Sequence, residues 1–202
     1  MLTNTKHHMP RVVLLGDSIR IGYEPFVRAK LAQGAFVWGP VDNGQHTTNL
    51  LLNYWTWVAA QQPEVLHVNA GLWDLRIVAP GSPLRVVSLS AYRENIRNLI
   101  TLTRQHTAAK IIWATITPIL GDRVREAALQ QSLAGRDAAD VLVYNSAAVE
   151  VAHEMGVAID DLHAVVMKEG PEKLICGDGV HFTGEAYRLL GCEVAACICG
   201  QL

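Results

Sequence analysis

The stretch Val12-Val13-Leu14-Leu15-Gly16-Asp17-Ser18-Ile19-Arg20 decides the fold. Four consecutive apolar residues, two of them β-branched, read as a strand buried on both faces. Gly16 permits a sharp turn that a side chain would obstruct. Asp17 and Ser18 are good N-cap residues, so a helix begins there. The sequence thus sets a serine hydroxyl at the C-terminal end of a central strand and at the N-terminus of a helix. Open α/β sheets carry their sites at that edge. The backbone N–H groups and positive helix end favour a developing negative charge. Taken alone, Gly-Asp-Ser is also no more than a turn and an N-cap.

The far end of the chain weighs against that plain reading. Asp178-Gly179-Val180-His181-Phe182-Thr183 sets an acid and a histidine three residues apart, just before a helical pattern. A serine nucleophile needs a base, and the base needs an orienting group. One short turn can hold the Asp178 carboxylate against Nδ1 of His181 and leave Nε2 facing Ser18. Two competitors are weaker. Cys176 lacks the strand–turn–helix setting of Ser18. His163 lacks the compact Asp-x-x-His spacing, although Asp160 and Asp161 adjoin it.

On these residues the chain resembles the SGNH hydrolases, also called GDSL esterases/lipases. The resemblance runs from Arg11 to about Cys192 and includes Asp42-Asn43-Gly44, Asn69-Ala70-Gly71-Leu72-Trp73-Asp74, Thr115-Ile116-Thr117-Pro118 and Tyr144-Asn145. It implies a three-layer α/β/α, flavodoxin-like domain with a five-stranded parallel sheet. It also implies that Gly44 donates its backbone N–H to an oxyanion hole, beside the N–H of Ser18, and that residues 115–118 border the substrate pocket. The sequence departs from the family in one place. Two residues after Gly71 the family has an asparagine whose amide donates to the oxyanion, and here Trp73 stands instead. An indole has one N–H donor and no acceptor. Asn69, on the same strand face as Gly71, is the alternative donor, and a hole built from Ser18 and Gly44 alone is the third arrangement. Arg20, His46 and Asp74 are candidate substrate contacts. For Arg20 a solvated surface role is the plain alternative, and for Asp74 a role in holding its loop.

Composition agrees with one catalytic domain. The 202 residues suit a single α/β unit with a sizeable core, and half of them are hydrophobic. A formal net charge of -2 offers no electrostatic reason for a nucleic-acid or anionic-membrane partner. The apolar runs are far shorter than a membrane span, and residues 1–10 lack the apolar core of a signal peptide, so the sequence as given reads as cytoplasmic. Residues 1–10 read as a flexible lead and 11–202 as the domain. The cysteines at 176, 192, 197 and 199 lack the paired spacing of a zinc site and read as buried free thiols. No metal or cofactor is expected.

Strands are expected at 11–15, 35–38, 65–69, 110–114 and 157–160. Helices are expected at 19–32, 48–61, 89–106, 140–155 and 183–196, with a single helical turn at 164–170. Strands alternating with helices imply a parallel sheet covered on both faces. The Pro-, Gly- and Arg-containing loop 75–88 falls near the pocket mouth. Residues 121–137 read as a helix-and-loop excursion over the site, or as an ordinary connecting helix.

The resulting expectation is an ester hydrolase with Ser18 as nucleophile, His181 as base and Asp178 as orienting acid. Its substrate is a short-chain ester, and the resemblance to small single-domain members suggests a carbohydrate O-acetyl ester. Acyl transfer to a sugar hydroxyl would use the same machinery. A non-catalytic carbohydrate-binding module is the alternative of another class, supported only by Trp73. Oligomeric state cannot be read from the sequence.

Overall fold

The computed structural model describes residues 8–131 and 135–202. Strand β1 (Arg11–Gly16) leads directly into α1 (Ser18–Leu31), and β2 (Phe36–Trp38) follows. Next come the short helices α2 (Thr47–Leu52) and α3 (Tyr54–Trp57), a 3₁₀ turn (Ala59–Gln61) and β3 (Val65–Asn69). Then come α4 (Leu89–His106), β4 (Lys110–Ala114), α5 (Gly121–Gln131), α6 (Ala138–Glu154) and β5 (Ala158–Asp160). The chain ends with α7 (Leu162–Glu169), α8 (Pro171–Leu174) and α9 (Gly184–Cys199).

The strands form one all-parallel sheet in the order β2-β1-β3-β4-β5. Val12 to Leu15 are buried, as a central strand between two helical layers requires. Two aromatic contacts identify the layers. Tyr23 of α1 meets His67 edge-on, whereas Tyr92 of α4 meets Trp113. Val68 is the register partner of Trp113, so His67, one residue earlier, faces the opposite side of the sheet. Helix α1 therefore lies on one face, packed against α9, and α4 lies on the other, packed against α2 and α6.

The register aligns Gly16, Asn69, Ala114 and Asp160 as one row at the C-terminal edge. Connections run in opposite directions from β1, to β2 on one side and β3 on the other. That reversal opens the crevice where doubly wound sheets place their ligands.

Local structure corrects the expected elements in several places. Residues 48–61 are not one helix. Asn53 folds its amide back on the Asn49 carbonyl at 2.9 Å, and Val58 leaves the helical region at φ -125°, ψ -64°. Asparagine competes in this way with continued helix. Trp55 between these breaks is exposed. Residues 162–169 form a true helix instead of a single turn, because the Asp161 side chain caps it through the Ala164 N–H. The cysteines are free, but Cys176, Cys192 and Cys197 are half-buried and Cys199 is exposed. The buried face of α9 belongs to Leu190, Gly191, Val194, Ala195 and Ile198 instead. Of the expected flexible lead, residues 1–7 lie outside the described residues, as do 132–134 of the excursion.

The α1–α9 contact depends on Gly191. A Cβ there would meet the Phe26 Cβ at 2.5 Å and the Tyr23 carbonyl at 2.9 Å. Overpacking such a contact costs about 1–3 kcal/mol, or roughly 2–4 °C of melting temperature per kcal/mol in a chain of this size. Gly191→Val is therefore expected to lower the thermal midpoint by several degrees. Gly184→Ala, which meets open space at the start of the same helix, leaves it near the wild-type value. Equal midpoints for Gly191→Val and wild type would contradict this packing.

Candidate active site

Ser18 is the first residue of α1, two positions beyond the strand end. Asp17 caps the helix by accepting the Ile19 N–H at 2.9 Å. The Ser18 N–H belongs to the first turn, where no intrahelical carbonyl is available, at the positive end of α1.

His181 reaches Ser18 from a tight loop before α9. Asp178 organises that loop with both oxygens. Its Oδ1 accepts the backbone N–H groups of Val180 and His181, each at 3.0 Å. Its Oδ2 lies 2.5 Å from His181 Nδ1. A carboxylate facing Nδ1 fixes the proton there, so Nε2 is the acceptor, 2.8 Å from Ser18 Oγ. Burial alone would raise the Asp178 pKa. Hydrogen bonds from the His181 ring and the two backbone donors outweigh it and hold the carboxyl below its usual range. The loop is anchored at its base by the Cys176 N–H to the His181 carbonyl and the Thr183 N–H to the Leu174 carbonyl. Cys176 thus supports the histidine through its backbone.

The other sequence-predicted donors have separate fates. The Gly44 N–H donates to the Gly16 carbonyl at 2.9 Å, which corrects its expected place in the oxyanion hole. Gly44 is glycine because a Cβ would lie 2.4 Å from that same carbonyl. The next N–H, of Gln45, donates to Asn43 Oδ1. Asn69 donates one of its two amide N–H groups to the Thr115 carbonyl at 3.3 Å and so ties β3 to the residue after β4. Trp73, in contrast, lines the same cleft as Asp178 and His181.

The three expected substrate contacts do not line that cleft. Arg20 is 2% exposed, pairs with Glu24 at 2.5 Å and donates to the Asp42 carbonyl. It is a buried strut, neither solvated nor available to a ligand. Asp74 is fully buried and accepts the Thr47 N–H and hydroxyl, joining the β3 loop to the start of α2. His46 caps α2 by accepting the Asn49 N–H on Nδ1, and burial lowers its pKa. Residues 115–119 are buried beneath the site instead of bordering the cleft. Asn145 clamps Ile116 there by accepting its N–H and donating to its carbonyl. His163 is not among the residues lining the cleft.

The cleft holds about 260 Å³. Val124, Ala127 and Ala128 of α5 give it a small apolar wall, and Arg76 and Arg136 give it charge. Sequence reading found these segments, the 75–88 loop and the 121–137 excursion, but missed the residues. Isolated surface-type arginines carry no motif that would mark them. Among the described residues, no three His, Cys, Asp or Glu side chains gather as metal ligands.

Comparisons with known proteins show the family and the fold. The sequence profile of the GDSL-like lipase/acylhydrolase family matches residues 14–189. Three solved structures illustrate the likeness of fold. The lipase/acylhydrolase from Enterococcus faecalis superposes with a TM-score of 0.80 at 22% identity, covering 96% of this chain and 97% of its own. The acetyl xylan esterase AlAXEase gives 0.74 at 17% identity, covering 93% and 99%. The acetylxylan esterase Axe2 from Geobacillus stearothermophilus gives 0.71 at 19% identity, covering 94% of each chain. No curated protein matches the chain by sequence.

Two buried carboxyls beside this site bear on stability. Burial pushes Asp17 up to about 6 and Asp74 up to about 7. The folded chain therefore keeps protons that the unfolded chain releases near pH 4. The stability this adds is complete below about pH 4 and is lost as pH rises through 6 and then 7. Asp74→Asn keeps an oxygen for the Thr47 N–H and removes the titration. It is expected to flatten the fall in melting temperature between about pH 5 and pH 8. Thermal unfolding across that range is the check, and parallel slopes in the two proteins would contradict it.

Proposed function

The chain belongs to the GDSL-like lipase/acylhydrolase family, a family of carboxylic ester hydrolases, and on that premise we propose that Ser18, His181 and Asp178 cleave a short-chain ester through an acyl-enzyme. The observation that carries this reading is the unbroken relay of Ser18 Oγ to His181 Nε2 at 2.8 Å and His181 Nδ1 to Asp178 Oδ2 at 2.5 Å. Ser18 Oγ attacks the acyl carbon while its proton passes to Nε2. The tetrahedral intermediate collapses with loss of the C–O bond, and His181 returns the proton to the departing alcohol. Water then repeats the sequence on the acyl-Ser18 ester and releases the carboxylic acid. Asp178 holds the imidazole in its working tautomer and balances the imidazolium in both halves.

The oxyanion is received by the Ser18 N–H and the indole N–H of Trp73. The engagement of the Gly44 N–H by the Gly16 carbonyl and the place of Trp73 in the cleft support this pairing. Trp73 thereby takes the place of the family's asparagine. The small apolar wall of Val124, Ala127 and Ala128 favours a short acyl group over a fatty one. A carbohydrate O-acetyl ester is the substrate class that suits this cleft, in keeping with the acetylxylan esterases that share the fold. No described helix is long and apolar enough to cross a membrane.

Hydrolysis of p-nitrophenyl acetate by wild type and Ser18→Ala tests the nucleophile. Turnover is expected to fall in the variant by at least about 10³-fold; equal rates would refute the assignment. Trp73→Phe keeps the ring and deletes the donor. Its kcat on the same ester is expected to drop by roughly 10²-fold, the usual cost of one oxyanion donor, with KM little changed. A kcat within twofold of wild type would leave Trp73 without that role.

A further inference from the structure

The ester cleft contains a feature that hydrolysis of a neutral acetate does not use. Arg76 and Arg136 both line it, beside His181 and Asp178. Arg76 lies over the Trp73 ring, with its guanidinium carbon 5.3 Å from the centroid, so the aromatic face holds it in place. Arg136 donates from Nε to the Leu72 carbonyl at 2.6 Å, which anchors the root of its guanidinium. Among the described residues, neither guanidinium forms an ion pair, and the terminal nitrogens of both find no protein acceptor. The one carboxylate in the cleft, Asp178, is already engaged by the His181 ring and two backbone N–H groups.

Two cations held near each other without partners are costly for folding alone. The strain on Arg136 has that sign: burial depresses its pKa, Asp17 offsets this in part, Arg76 depresses it further, and Asp178 again offsets. Elsewhere most described arginines meet a carboxylate, and Arg11 and Arg104, which do not, donate from a terminal nitrogen to Gln61 and to the Met155 carbonyl. Arg20 and Arg28 both meet Glu24, Arg85 meets Asp140, and Arg93 meets Glu150. Among the described residues, the two guanidiniums of this cleft have neither a carboxylate nor an acceptor for their terminal nitrogens, and a ligand there would supply the missing charge. A guanidinium fork matches the two oxygens of a carboxylate.

We propose that Arg76 and Arg136 form an anion subsite that selects esters whose alcohol half carries a carboxylate, as in an O-acetylated acidic sugar. This deepens the ester-hydrolase reading and rests on it. The anion belongs to the alcohol half because the acyl half is short. Trp73 then links both functions, with its N–H directed to the oxyanion and its face carrying Arg76.

The test compares 4-acetoxybenzoate with its methyl ester, two acetyl esters that differ by one carboxylate. Each enzymic rate is divided by that ester's own uncatalysed rate. The wild type is expected to show a KM for the carboxylate at least about tenfold lower, the effect of one charge-assisted hydrogen bond or more. In Arg136→Gln and Arg76→Gln the ratio of the two KM values is expected to move toward one. Arg136→Lys, which keeps the charge but loses the fork, is expected to retain part of the preference. Equal KM values in the wild type, or a ratio unchanged in both Gln variants, would overturn the proposal. The wild-type comparison stands even if a variant fails to fold. If neither ester is turned over, the hydrolase reading fails separately. Calorimetry of 4-hydroxybenzoate and its methyl ester with Ser18→Ala then decides the subsite. Tighter binding of the carboxylate supports it, and equal binding overturns it.

Discussion

The backbone at Gly16 is the constraint on which the site depends. Its carbonyl accepts the Gly44 N–H at 2.9 Å, and a Cβ on Gly16 would lie 2.5 Å from the Asn69 carbonyl. The end of β1 is thus gripped by the β2–α2 loop on one side and by β3 on the other. No side chain fits between them. This grip fixes where α1 starts, and so fixes Ser18 Oγ to within hydrogen-bonding reach of a histidine that is 163 residues away in sequence. Geometry of this kind must be held to a fraction of an ångström to be useful in catalysis. A backbone contact without an intervening rotamer is the stiffest way to hold it.

Around that grip the chain buries several ionisable groups. Asp17, Arg20, Glu24, Asp74 and Asp160 are all removed from solvent. Each has partners. Asp17 caps α1, Arg20 and Glu24 pair, Asp74 takes two donors from Thr47, and Asp160 holds His67 at 2.9 Å. Such groups add little net stability, since desolvation offsets the attraction. What they supply is a preferred arrangement, because each paired carboxylate or guanidinium has few satisfactory partners and many unsatisfactory ones. These contacts join strand ends and loops at the edge where the site lies, so stability is exchanged there for positional definition.

Much of this was legible in the sequence. The strands were visible as short apolar runs, and helix α4 was legible to the residue because its apolar spacing is regular and its ends are capped. The meeting of Ser18, His181 and Asp178 was readable because the proposed chemistry requires a strand–turn–helix serine and a closely spaced Asp and His. The broken helices after Thr47 were not, since they result from the Asn53 amide competing for the Asn49 carbonyl, which periodicity does not show. The burial of Arg20 was hidden for a related reason. Its i,i+4 partner Glu24 looks like a surface pair, and only the tertiary packing shows that both face inward. Gly44 was misread in role but not in place. An N–H next to an oxyanion hole and one spent on a strand end have the same sequence signature. The cleft arginines carry no signature at all, because their meaning comes from two loops meeting over the sheet.

The walls of the cleft come from outside the strand–helix alternation. The segment after β3 and helix α5, inserted between β4 and α6, contribute Arg76, Val124, Ala127 and Ala128. The proposed catalytic groups, in contrast, sit at the start of α1 and in the loop before α9. Heredity can therefore act on the two parts at different rates. A change in the length or composition of α5 alters what enters the cleft while the sheet, the Gly16 grip and the Asp178 loop stay as they are. One frame can in this way accumulate new specificities without passing through an unfolded or inert ancestor.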